Sequence, residues 1–401
     1  MTLSDGGLVD VSLALGRIAS VAPAGSLDPS TTAPTIFDLP GFLLLPAPVE
    51  PHAHLDKALT ADLVPNPAGD LLGAILAYQS CYHERTVAEI MDRARRAALT
   101  NLANGCTAIR THVDLDPALG LRGVSALLAL RDELADRVDI QIVGLAGRPT
   151  SGVSGQANRE LIESALAAGI DVVGGCPHLD EDPAATVQDA LERARRHGRP
   201  LDLHSDENLE PNSVDLQTLA SALIHAPHDR PVAASHCVSL GMVDSGTQAR
   251  IADATAAAGI SVITLPQTNL FLQSRGVRTA VPRGLTAVAA LLEAGVNVAA
   301  GGDNLQDPFN VVGRGDPLET ASLHIAAAHL TPERAYHAIS TAARRALGLE
   351  AVTITAGAPA ELLAIRAANV REAIAGACED RLVFHAGKLV ARTTLTREMY
   401  G

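Results

Sequence analysis

From about residue 43 to residue 303, short apolar runs alternate with amphipathic stretches. The runs are "FLLLPAPVE", "CTAIRTHVD", "VDIQIVGLA", "GIDVVGGCP", "PLDLHSDE", "PVAASHCV", "GISVITLP" and "GVNVAAGGD". Each is apolar nearly throughout and bounded by turn residues, the pattern of a strand buried on both faces. Between them, "TVAEIMDRARRAALTNLANG", "RELIESALAAG", "TVQDALERARRHG", "ARIADATAAAG" and "GLTAVAALLEAG" place apolar residues at helical spacing, and all five end in glycine. Glycine there predicts a left-handed residue that stops the helix. Strict alternation of buried strands with helices predicts a parallel sheet covered by helices, and eight such units close a (β/α)8 barrel. A doubly wound open sheet would show the same alternation. The polar residues decide for the barrel, because they gather at the C-terminal ends of many different strands, where barrel enzymes build their sites.

The two ends of the chain read differently. Residues 1–42 ("GLVDVSLALGRIASVAPAG", then "TIFDLPG") and 356–401 ("AGAPAELLAIRA", then "DRLVFHAGKLVARTTL") carry short β-patterns with glycine turns. They are expected to pair as one small β-sandwich-like domain beside a metal-dependent barrel spanning 43–355. "SLDPSTTAPT" reads as an exposed loop of that domain.

Composition narrows the function. A chain of 401 residues, 47% of them hydrophobic, can bury a large core. Acidic residues outnumber basic ones 45 to 31, giving a net charge of -14 that repels a phosphate backbone, so nucleic acid is excluded as a partner. The N-terminus has no basic segment leading into an apolar one, and no apolar run is long enough to span a bilayer. A cytoplasmic protein without membrane association is expected, assembled as a homo-oligomer. Five cysteines at wide, unpatterned spacing suit neither a disulfide framework nor a thiolate zinc site, and read as reduced thiols.

The chemistry is carried by histidines at strand ends. In "EPHAHLDK", His52 and His54 are two residues apart and point to the same side of a strand. His204 ends the fifth run in "LDLHSDE", His236 the sixth in "AASHC", and Asp303 the eighth in "AAGGDN". Separate buried partners for each polar group would be costly, whereas one divalent cation accounts for all five. Nitrogen donors with one carboxylate suit zinc or iron, and an open position would hold a water of lowered pKa. Asp303 would touch the metal and accept a proton, and His236 would hold the water as it attacks.

Taken in order, "EPHAHLDK", "HSDE", "ASH" and "GGDN" resemble the amidohydrolase superfamily, in particular its cytosine deaminase branch. The likeness extends to "IRTHVD", "PQTNLFLQSRG" and "DNLQDPF" and so covers most of the chain. The resemblance implies one metal held by His52, His54, His204 and Asp303, with His236 over its water and Glu207 as proton shuttle. It also implies hydrolytic deamination of a small nitrogen heterocycle such as cytosine, isocytosine, a triazine or a related cyclic amidine, with release of ammonia. Opening of a cyclic amide, or removal of an alkylamine, is the alternative. Glu207 makes chemical sense independently, since deamination requires protonation of the ring nitrogen and of the departing amine, and one carboxyl group beside the metal can ferry both protons. Lys57 and Lys388 are the only lysines, so the fourth strand has none to become a carboxylated bridge between two metals, which favours a single ion; Cys176 in "GGCP" is the one candidate bridging ligand there.

The likeness breaks at the positions that read the substrate. The deaminase pattern carries a glutamine after the third strand, a second aspartate after the metal aspartate, and a tryptophan shortly beyond. This chain has Arg148 in "GLAGRP", Asn304 and Phe309. These three are the candidate substrate-binding residues, Arg148 facing a carbonyl or carboxylate. The aspartate–asparagine pair is also similar to that of N-isopropylammelide amidohydrolase, which lacks the glutamate three residues after the histidine of the fifth strand.

Overall fold

The computed structural model describes residues 1–27 and 35–400, so that 28–34, most of the stretch read as an exposed loop, lie outside it. The barrel is present. Strands β1 (Val9–Ala14), β2 (Arg17–Pro23) and β3 (Phe42–Pro46) precede it. Its staves are β4 (Val49–Ala53), β5 (Ala108–Leu115), β6 (Asp139–Ala146), β7 (Val172–Gly175), β8 (Leu201–Ser205), β9 (Val232–His236), β10 (Ser261–Thr264) and β11 (Asn297–Ala300). These eight form one sheet in strict chain order, and every neighbouring pair is parallel. The edges meet through a parallel bridge between Ala53 and Asp303.

Helices between the strands pack their apolar stripes against the outside of this sheet. The helix Val87–Ala103 buries Ile90, Ala94, Ala97, Ala98 and Leu102, and the Thr86 hydroxyl caps it by accepting the Glu89 N–H. The helices Gln156–Ala168 and Pro183–His197 stop at Gly169 and Gly198 in the left-handed conformation, as their sequences predict.

One strand assignment needs correction. "FLLLPAPVE" is not a single barrel strand but two strands in different sheets. Phe42–Pro46 pairs antiparallel with β12 (Leu362–Arg366), in a four-stranded sheet completed by β13 (Arg381–His385) and β14 (Lys388–Thr393); only Val49–Ala53 enters the barrel. Residues 43–46 therefore lie in the terminal sheet. The run is uniformly apolar because both sheets bury it, and the change of sheet is marked only by Pro46 and Pro48, which have no N–H to give a ladder. The hairpin of β1 and β2 packs on this sheet over a separate core that includes Ile18, Phe42, Leu44, Leu362 and Phe384. No helix among the described residues is long and apolar enough to cross a membrane.

Candidate metal centre

The ends of the staves turn sharply where the site is built. Asp206, His236, Cys237 and Asp303 all have positive φ, between 49° and 70°, a conformation that costs a non-glycine residue of order 1–3 kcal/mol and persists where the surroundings hold it. At these turns the side chains of different strands are brought to one point. His52 Nε2 lies 3.1 Å from His204 Nε2, which lies 3.3 Å from His54 Nε2. Asp303 Oδ1 is 3.3 Å from His54 Nε2 and 3.6 Å from His52 Nε2. All four side chains are buried.

This donor set fits a metal ion. Burial pulls His52, His54 and His204 well below the ordinary histidine range, and neighbouring His112, Lys57 and His52, respectively, add to the effect. Neutral imidazoles with ring nitrogens this close suit a shared cation, which takes up their lone pairs. Neither carboxylate oxygen of Asp303 has a hydrogen-bond partner. These contacts of 3.1–3.6 Å place His52, His54 and Asp303 in one group of donors and His52, His204 and His236 in another, with His52 common to both.

His236 stands beside this cluster. Its Nδ1 meets Asn269 Oδ1 at 3.0 Å, while its Nε2 is buried without a partner and lies close to His52 and His204. Burial lowers its pKa to about 4, against the charge of Asp303. Glu207 Oε1 is 3.4 Å from His236 Nδ1, and burial, reinforced by the charge of Asp303, holds this carboxyl well above its ordinary range. The Glu207 carboxyl therefore faces the cavity as a group that holds a proton more tightly than an ordinary carboxylate.

The cavity occupies about 700 Å³ including its open mouth and is lined by His54, His204, Glu207, His236 and Asp303. Arg148, Asn304 and Phe309 line it too, while His52 lies behind the wall in contact with His204. Their surroundings differ. Arg148 donates to the Leu179 carbonyl at 3.3 Å and has no carboxylate partner among the described residues. Asn304 is already engaged, donating to Asp307 Oδ2 at 2.8 Å and accepting from the Thr268 hydroxyl at 3.4 Å. Cys176 is on the wall, where burial and then the charge of Glu207 push its thiol well above the ordinary range.

Other side chains complete the site. The helix Leu71–Ser80, capped by Asp70, supplies Leu71, Ile75, Tyr78 and Gln79 to the wall; its apolar residues follow no single face, so no amphipathic stripe announces it. Lys57 Nζ binds Asp114 at 2.7 Å and Tyr82 donates to the same carboxylate at 2.9 Å, so Lys57 serves a carboxylate pair at the rim. His112 stacks on His52 with ring centroids 3.9 Å apart, and His178 Nδ1 meets the His204 carbonyl at 3.3 Å. Asp202, Arg110 and Ser235 form a buried group beneath His52; their signal is a polar residue at an inward position of an otherwise apolar strand.

Comparison with known proteins agrees with this architecture. A profile described as "Amidohydrolase family" matches residues 147–391. A pterin deaminase of Rhizobium rhizogenes is 28% identical over 389 residues, covering 96% of this chain and 88% of that protein. An N-isopropylammelide isopropyl amidohydrolase of Pseudomonas sp. is 24% identical over 377 residues, covering 88% of this chain and 87% of the relative. The crystal structure of 5-methylcytosine deaminase from Klebsiella pneumoniae, liganded with 5-fluorocytosine, superposes with a TM-score of 0.91 at 30% identity, over 100% of this chain and 98% of that one. With the family profile over more than half its length and barrel-end histidines at the positions the motifs mark, this chain belongs to the amidohydrolase family.

Proposed function

We propose that the protein is a metal-dependent hydrolytic deaminase of a small nitrogen heterocycle that carries an amine on a ring carbon beside a ring nitrogen. The observation that carries this reading is Glu207: a buried carboxyl whose pKa burial raises, 3.4 Å from His236 and beside the donor cluster. His52, His54, His204 and Asp303 would hold one divalent ion, zinc or iron. Once bound, that ion supplies the Lewis acidity that makes a water nucleophilic near neutral pH.

The side chains then divide the proton traffic. Asp303, whose oxygens have no hydrogen-bond donor, takes a proton from the attacking water, and the Nε2 of His236 orients that water. Glu207 gives its proton to the ring nitrogen as the carbon becomes tetrahedral. The second proton of the water, on the oxygen now bonded to the carbon, passes by way of the Glu207 carboxylate to the amine, which departs as ammonia and leaves a ring carbonyl, and the proton held by Asp303 returns to Glu207. Arg148, Asn304 and Phe309 would face the remainder of the ring.

Two similar proteins are named for deamination, of pterin and of 5-methylcytosine, and both compounds have an amine on a carbon flanked by ring nitrogen. The relative named for removing isopropylamine supports a second reading, loss of an alkylamine. A panel of free aminated heterocycles assayed for ammonia tests the proposal. Ammonia from at least one member, dependent on Glu207, is the expected result. Release of alkylamine or of a ring-opened acid without ammonia from any member would overturn it.

A further inference from the structure

Beneath the donor cluster, four side chains from four different strands form a continuous hydrogen-bonded chain. Arg110 on β5 donates from Nη1 to Asp202 Oδ2 at 2.8 Å. Ser235 on β9 donates its hydroxyl to the other oxygen, Asp202 Oδ1, at 2.9 Å. Ser235 Oγ is also 2.9 Å from Nδ1 of His52 on β4. All four residues have essentially no solvent exposure.

The directions of these bonds follow from chemistry. The Asp202 carboxylate accepts from Arg110 and again from Ser235, so the single hydroxyl proton of Ser235 is committed. Its oxygen then has only lone pairs left for His52. The proton at that contact must belong to His52 Nδ1, which leaves the lone pair on Nε2, the nitrogen that faces His204, His54 and Asp303. The opposite tautomer would set two lone pairs against each other in a site closed to water.

We infer that the Arg110–Asp202–Ser235 chain is a positioning device that presets the Nδ1–H tautomer and ring orientation of His52 for metal capture, before any ion arrives. Two further observations support it. A fully buried ion pair in a barrel interior is costly to desolvate, and apolar side chains of similar volume would fill the space at no such cost. His52 is also singled out among the three clustered histidines, as the one whose Nδ1 meets a side chain among the described residues. The chain therefore acts on one ligand rather than holding the whole site.

The inference rests on the metal-site reading above for its purpose, but not for its observable. Long-range ¹H–¹⁵N spectra of the metal-free and the metal-loaded protein, with the His52 ring assigned by its change in Ser235→Ala, report which nitrogen carries the proton. Protonated Nδ1 in both forms is expected. A metal-free His52 with its proton on Nε2 would overturn the inference, whether or not the protein binds metal. The second arm measures metal affinity by competition with a chelator. Ser235→Ala should bind zinc about 10–100-fold more weakly, the usual loss when a partner behind a metal-binding histidine is removed, and Ser235→Thr should restore most of it. Folded Ser235→Ala with zinc affinity within twofold of the parent overturns the inference and leaves the metal site intact. A parent that binds no metal would instead remove the proposed function, and the spectrum of the metal-free protein would still decide the tautomer.

Discussion

The backbone N–H of Asp303 donates to the carbonyl of His52 at 3.1 Å, so the last of the proposed metal ligands in the chain is tied directly to the first. Glu50 fastens the same seam. One of its carboxylate oxygens accepts the His52 N–H at 3.1 Å and the other the Gly302 N–H at 2.9 Å, while burial pushes the carboxyl up to about 8 against these two bonds. Barrel closure and ligand geometry are thus one piece of structure. A Cβ on Gly301 would lie 2.5 Å from Glu50 Oε1 and force that carboxyl away. Gly301→Ala should therefore strand at least one buried N–H, costing about 1–3 kcal/mol. Denaturant unfolding should show this loss, accompanied by weaker metal retention. A variant as stable as the parent would mean the seam does not depend on Glu50.

Metal and turnover should separate by mutation. Protein purified without added metal is expected to contain about one zinc or iron per chain, in keeping with three imidazoles and one carboxylate. His204→Ala should lose the ion. Glu207→Gln should keep it and lose activity by several orders of magnitude, because an amide has no proton to deliver. Metal analysis and single-turnover assays on the same preparations check both statements. Two tightly held ions, or an active Glu207→Gln, would contradict them.

Much of this site was legible because polar residues in apolar strands are conspicuous. His52, His54, His204, His236 and Asp303 stand out against their runs, and parallel β/α order alone sends strand ends to a common face. Features without such contrast stayed hidden. Pro46 and Pro48 mark the change of sheet, yet the run around them is apolar on both sides. The helix Leu71–Ser80 is apolar on several faces because one looks into the cavity, and Leu72 and Leu76 remain exposed. Arg110 and Asp202 could be seen as inward polar residues, but pairing across the barrel joins strands far apart in sequence, and nothing local names the partner.

Arg148 is the cavity cation that has no carboxylate of its own. A substrate presenting a carbonyl or carboxylate to it would form a charge-assisted hydrogen bond worth about 1.5–3 kcal/mol. Arg148→Gln should then raise KM about tenfold or more for such a substrate and leave kcat little changed, since the guanidinium has no part in the proton transfers proposed. Comparison of a carboxylated heterocycle with its neutral parent compound in both proteins checks the assignment. An equal loss for the two compounds would argue that Arg148 shapes the loop and does not touch the substrate.

A pH effect is expected far from the active site. Burial alone would lower the pKa of His385, but its hydrogen bond to Glu361 at 2.9 Å and the charge of that carboxylate prevail and raise it. A histidine raised in the folded state stabilises most fully below its unfolded value of about 6.5, and this contribution is lost as pH rises through the folded value. His385→Gln should therefore lower stability more at pH 6 than at pH 9. Urea unfolding across that range measures it, and a difference that grew with pH would reverse the assignment.

Cytosine itself should be a poor substrate, despite the close structural likeness to a 5-methylcytosine deaminase. The cytosine deaminase pattern that the motifs resemble carries a glutamine, an aspartate and a tryptophan where this chain has Arg148, Asn304 and Phe309. Arg148 can only donate, whereas a glutamine amide both donates and accepts. Asn304 has one amide proton committed to Asp307 and its oxygen approached by Thr268, so it cannot replace an aspartate that accepts freely. Phe309 has no polar atom at all, and its ring lies 5.3 Å from the Lys57 ammonium. Each unmatched polar group in a closed pocket costs about 1–3 kcal/mol, so two would lower kcat/KM by roughly two orders of magnitude or more. Glu207 and the metal residues would be unaffected, and a better-matched amine should still turn over. Steady-state kinetics with cytosine decides the matter: an efficiency of about 10⁴ per molar per second or higher, ordinary for a good enzyme, would show that other side chains read the ring.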